Sequence, residues 1–268
     1  MTMDDKRLEN RGEDVPSEDA EQQTGDSPPT REPPPGLPFS FLHEIAFVFI
    51  LCSSQLLAQA GLGNTLIPLH TIGQSFGTTN PGQLSWYVAA YSLTVGTFIL
   101  IAGRLGDILG HKLLLICGFL WYALWSLITG LSVYSHSQIF YDVCRAMQGI
   151  GPAVLLPNAV AIMGRTYPQG RRKDMVFSLF GATAPWGFVV GGGFSSALAE
   201  RAWWPWAYWC LAITCCLGAG MAFFIIPSRV NDEVIDKSFD YLGSVTGVVG
   251  LVLLNVAWNV SHSQSSLP

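Results

Sequence analysis

Hydrophobic and polar positions follow one another along this chain in long blocks. A polar stretch runs to Pro38, and apolar runs then recur to the C-terminal end. There are seven, near residues 41–69, 84–102, 113–134, 138–163, 175–199, 207–226 and 241–260. Crossing about 30 Å of hydrocarbon takes a helix of about 20 residues, and these runs have that length. They are continuous and lack the alternation of membrane barrel strands, so they read as helices that satisfy their own backbone hydrogen bonds inside lipid. The pattern predicts an all-α membrane protein with seven spans.

Composition agrees with the pattern. Half of the residues are hydrophobic and only 12% are charged, a balance rare in soluble domains of this length. The net charge of -5 describes the tail, because ten Asp and Glu fall in the first forty residues against Lys6, Arg7, Arg11 and Arg31. It carries no sign of nucleic-acid binding. Residues 1–40, rich in Pro, Ser and acids, lack the apolar side chains that would offset the entropy of ordering them. They are expected to form a disordered tail, and not a signal peptide, since no apolar segment lies near the start.

Basic residues in the short loops orient the spans. Arg104 and Lys112 lie between the second and third runs, Arg165, Arg171, Arg172 and Lys173 between the fourth and fifth, and Arg229 and Lys237 between the sixth and seventh. The opposite loops hold Arg201. Positive residues stay inside, so the N-terminus is expected in the cytoplasm and the C-terminal end outside. Trp203, Trp204, Trp206, Tyr208 and Trp209 cluster where the sixth span would enter from the outer face, as interfacial anchors do. A seven-helix receptor has the reverse orientation and fails on charge.

Enzyme chemistry finds no support, and no catalytic, cofactor or metal site is expected. Cys52, Cys117, Cys144, Cys210, Cys215 and Cys216 sit inside apolar runs without zinc spacing and read as packing residues. His43, His70, His111, His136 and His262 form no ligand pattern and read as loop or interface residues. The glycine triplet lacks the Lys-Ser/Thr of a phosphate loop.

Four segments carry candidate chemistry. Between the second and third runs stands Gly103-Arg104-Leu105-Gly106-Asp107-Ile108-Leu109-Gly110-His111-Lys112. Its glycines permit close backbone approach and left-handed turns, while Asp107 can pair with Arg104 and Lys112 or meet a helix terminus. Gly103, Arg104, Gly106, Asp107, Gly110 and Lys112 therefore read as a conformational latch, the plain alternative being a solvated basic turn. In the fourth run Asp142, Arg145 and Gln148 share a helix face. Charges within a membrane are costly and mark function by default, unless Asp142 and Arg145 form a structural pair near the outer interface. The fifth run reads Gly181-Ala182-Thr183-Ala184-Pro185-Trp186-Gly187-Phe188-Val189-Val190-Gly191-Gly192-Gly193. Gly187 and Gly191 also fit a small-residue packing face. Gln55, Gln59 and Asn64 in the first run offer donors and acceptors to a cavity, or bridges to neighbouring helices.

These segments resemble the major facilitator superfamily. The first closely resembles its latch signature, and Arg145-Ala146-Met147-Gln148-Gly149-Ile150-Gly151 resembles its second, whose arginine is linked to proton coupling. The run containing Pro185, Gly187, Gly191 and Gly192 is similar to the drug:proton antiporter signature. It departs from it in that Phe188 follows Gly187 and the proline stands earlier, at Pro185. Asn64 and Pro68 match many fourteen-helix drug antiporters, whereas Gln59 replaces their usual aspartate and cannot exchange a proton. The segments at 203–209 and 253–259 resemble the fungal aminotriazole-resistance type.

The resemblance implies two six-helix domains with the substrate between them. Residues 41–227 would be the six-helix N-terminal domain, and 228–268 a cytoplasmic loop, a seventh linker span and a short outer end. The chain is then expected to be a shortened product of a fourteen-helix, proton-coupled efflux transporter of a drug or secondary metabolite, by default in the plasma membrane. Expected partners are the bilayer, a small-molecule substrate and protons, with a second half-transporter or self-association if the half-length chain is native. Two alternatives stay open: transport of a small inorganic solute such as ammonium or borate, and a non-transporting half that regulates a carrier. Asn259-Val260-Ser261 satisfies the glycosylation pattern but lies too near the bilayer for use.

Overall fold

A computed structural model describes residues 40–227 together with Gly243, Thr246, Gly247, Val249, Gly250 and Leu253. The expected tail up to residue 39, Arg229, Lys237, most of the seventh run and Asn259 lie outside the described residues.

Six helices long and apolar enough to cross a membrane stand among the described residues: α1 (Phe41–Leu66), α3 (Pro81–Leu109), α4 (His111–Leu131), α5 (Gln138–Thr166), α6 (Arg171–Arg201) and α7 (Pro205–Ile225). A short helix α2 (Leu69–Ser75) follows α1, and a 3-10 turn (Ser132–Ser135) extends α4. No strand occurs among the described residues.

The ends of these helices have local causes. α1 stops short of the predicted residue 69 because Pro68 has no amide hydrogen to give the Asn64 carbonyl. That carbonyl instead accepts from Ser195 Oγ at 2.8 Å. α3 begins at a cap, where the Asn80 side chain accepts from Gly82 N at 2.9 Å and Pro81 fills the first turn. It also runs past the predicted 102, so the latch segment is not a loop. Residues 103–109 continue α3, His111 opens α4, and the connection is Gly110 alone, at φ 97° and ψ 127°. That φ suits a residue without Cβ.

The main packing pairs are α1 with α6, α3 with α5, and α4 with both α5 and α7. α1 meets α6 through glycines. A Cβ on Gly187 would strike the Leu56 carbonyl, one on Gly191 the Ala60 backbone, and one on Gly63 the Phe188 carbonyl. The two backbones are therefore in direct contact. One core cluster joins Phe47, Leu51, Phe119, Tyr122, Leu155 and Ile162, and a second joins Ile72, Leu84, Tyr87, Tyr141, Trp204 and Tyr208 at the opposite end. Large apolar side chains cover the outside, with Leu100 73%, Trp186 66% and Phe224 83% exposed, as expected for surfaces that meet lipid or another apolar partner and not water.

Candidate functional site

Arg145 of α5 lies where that helix meets four others, α1, α3, α4 and α7, and is 0% exposed. Its Nε donates to the Tyr87 carbonyl of α3 at 3.1 Å, and its Nη2 donates to the Gly61 carbonyl of α1 at 3.2 Å. Nη1 donates to Gln148 Oε1, whose amide nitrogen in turn donates to Ser126 Oγ of α4 at 2.6 Å. The guanidinium carbon is 4.4 Å from the Tyr91 ring centroid and 5.9 Å from that of Tyr208. The charge is thus shared among neutral oxygens and aromatic faces.

Asp142, one turn away, lies within electrostatic reach of Arg145 but makes no ion pair with it among the described residues. Its Oδ1 is buried without a hydrogen-bond partner. Tyr91 and Ser126 were not singled out from the sequence, and Tyr208, expected there as an interfacial anchor, is instead 0% exposed inside the bundle. Each belongs to another helix, so no spacing could link it to Arg145.

A second cluster gathers where α3, α4 and α5 end together. Asp107 Oδ1 is 2.9 Å from Arg165 Nη2 and 3.3 Å from His111 Nε2, and Oδ2 is 3.9 Å from Arg104 Nη1. Lys112 does not join it, since its Nζ lies 5.6 Å from the Phe223 ring centroid. Gly106 is required to be small, because a Cβ there would collide with Asn158 Oδ1 and the His111 ring. Gly103 faces Pro157 at ordinary contact distance. His111, expected at a loop or interface, is 1% exposed, because Asn158 and Asp107 hold it inside the bundle.

The remaining candidates separate. Asn64 is 3% exposed and does not face a cavity. With its amide oriented as its surroundings satisfy it, it donates to the Gly191 carbonyl at 2.8 Å, bridging α1 to α6. Gln55 and Gln59 are half-buried and continue a stripe with Glu44, Val48 and Cys52 along one side of α1. A cleft of about 450 Å³ opens between α1 and α6 at the Glu44 end, lined by Glu44, Val48, Cys52, Arg172, Val176 and Thr183. Glu44 Oε2 is 3.4 Å from Arg172 Nη2, and Tyr167 donates to Oε1 at 3.2 Å. Burial first, and then the Glu44 charge, push the Tyr167 hydroxyl up to about 12, so it remains a donor. Pro185 is exposed on α6, and Gly192 packs on the Ile67 side chain.

A bundle of apolar spans with a buried cation at its centre and ion pairs at one end defines a polytopic α-helical membrane protein. The chain belongs to the Major Facilitator Superfamily, whose family model matches residues 50–260. It is 64% identical over 228 residues to the low affinity ammonium transporter of Saccharomyces cerevisiae, a match covering 83% of this chain and 44% of that protein. It is 49% identical over 231 residues to a major facilitator superfamily multidrug transporter of Aspergillus fumigatus, covering 85% of this chain and 43% of the relative. To the aminotriazole resistance protein of Saccharomyces cerevisiae it is 41% identical over 219 residues, covering 81% and 40%. The chain spans less than half the length of these relatives. They bear out the resemblance drawn from the motifs, and the family is one of transporters and not of enzymes.

Proposed function

We propose that residues 41–227 act as the N-terminal domain of a proton-coupled transporter that exports a small organic compound, with the N-terminus in the cytoplasm and the plasma membrane as its site. Every basic residue of the short connections from Arg104 to Lys173 lies at the end where Asp107 meets Arg165 and Glu44 meets Arg172, which supports that orientation.

Arg145 carries the reading. A guanidinium inside a membrane bundle is expensive, and this one has no carboxylate in direct ion-pair contact among the described residues. Asp142 is the acid that exchanges the proton. When protonated it leaves Arg145 on the Gly61 and Tyr87 carbonyls. When it releases the proton, its charge draws Arg145 away from Gly61 and loosens α1. Because α1 also carries Gln55 and Gln59, proton release and substrate release share one helix. The latch residues at Asp107 then hold one arrangement of the half until α3 and α5 shift.

The test is drug efflux from proteoliposomes under an imposed proton gradient, using a two-half transporter that carries these residues. Arg145→Ala is expected to abolish gradient-driven flux while the protein stays in the membrane. Unchanged flux would remove Arg145 from the mechanism. A second reading, ammonium movement, is favoured by the 64% identity to the low affinity ammonium transporter. Methylammonium uptake in a strain lacking its own carriers separates the two.

A further inference from the structure

Asn158 and His111 meet beneath the turn that joins α3 to α4. Asn158 is 0% exposed, and its Nδ2 donates to the Val154 carbonyl at 2.7 Å and to the Ala102 carbonyl at 3.5 Å. Both partners are acceptors, so the amide nitrogen must face them, and the amide oxygen must face His111 Nδ1 at 2.7 Å. An amide oxygen only accepts, which places a hydrogen on Nδ1. In the neutral ring, Nε2 is then a bare lone pair. Nε2 is buried without a hydrogen bond of good geometry, and the nearest charge is Asp107 Oδ1 at 3.3 Å.

A lone pair against a carboxylate oxygen repels, whereas a proton on Nε2 converts the contact into a charge-assisted hydrogen bond. We infer that His111 and Asp107 form a proton-binding site at the α3–α4 turn, in which Asn158 fixes the ring so that Nε2 takes the proton and presents it to Asp107. The ligand is a proton from the aqueous side. The surrounding charges act in both directions. Asp107 on α3 favours the proton, while Arg165 of α5 on the same oxygen and Arg104 of α3 on the other oppose it. Lys112 of α4 is turned to Phe223, the ring that α7 brings to this end. Asp107 Oδ2 faces Arg104 in either state, and with the proton bound Oδ1 is held by His111 as well as by Arg165. Without it, Oδ1 is held by Arg165 alone. Acid on this side therefore fastens the latch, whichever solute the protein moves and whatever part Arg145 plays.

Imidazole 15N spectra of the chain in lipid nanodiscs test this, with His111→Gln used to assign the signal. The expected result is a neutral ring carrying its hydrogen on Nδ1 that gains a second proton on Nε2 when the sample is acidified, with weaker proton affinity in Asp107→Asn. In Asn158→Ala the neutral ring is expected to populate the Nε2–H form. A ring that stays neutral throughout, a wild-type ring carrying its proton on Nε2, or an unchanged affinity in Asp107→Asn overturns the site. Asp107 is 38% exposed, so its replacement leaves the fold intact even if the Asn158 variant does not fold.

Discussion

The two charged regions of this bundle solve opposite problems. At Arg145 one cation is sealed at 0% exposure and is held by two backbone carbonyls, one amide oxygen and two rings. At Asp107 an acid that is 38% exposed gathers two arginines and a histidine. Water already pays most of the cost of charge at the second site, so its ion pairs contribute little to stability and can break and re-form. At the first, neutral donors and acceptors do what a counter-ion would do, and removing any of them strands a buried group. The contrast teaches that the number of opposite charges near a group does not measure its energetic importance. Burial does.

The largest effect is expected at the sealed site. Arg145→Ala takes the second donor from the helical Tyr87 and Gly61 carbonyls and leaves buried Gln148 Oε1 without its donor, a loss of about 1–3 kcal/mol, read as a lower unfolding temperature in nanodiscs. Arg145→Lys is expected to recover little of it, because a point charge cannot span the three acceptors. A full recovery would mean that charge alone matters there. The next effect lies under the latch and not in its ion pairs. Gly106→Val drives side-chain atoms into Asn158 and His111, at about 1–3 kcal/mol. Smallest is Asp107→Asn, expected below about 1 kcal/mol and fading in high salt. If Asp107→Asn proved as damaging as Gly106→Val, the comparison between the two regions would collapse.

The spans were legible because a 3.6-residue helix crossing lipid leaves a long apolar run, and the family motifs were legible because their glycines and charges sit close together in the chain. Residues 103–109 misled as a loop, since glycine and charge are turn signals in water. Here Gly106 is helical because it lets Asn158 approach. Asn64 looked like a cavity residue because polarity in a span does not say which way it faces. Ser126, Tyr91 and Asn158 reach their sites from other helices, through contacts that exist only once the bundle has assembled.

Arg145 has a consequence for biosynthesis. Gly61, Tyr87 and Tyr91 precede it in the chain, as does Ser126, which holds Gln148, while Gln148 of the same helix and Tyr208 of α7 follow. On leaving the ribosome, α5 meets acceptors that are already in the membrane. An arginine in a lone inserting helix costs up to about 3 kcal/mol, the figure for the helix centre, and most of the partners of Arg145 are in place when α5 inserts. The order of synthesis is thus compatible with a charge that no single helix could carry into the bilayer cheaply.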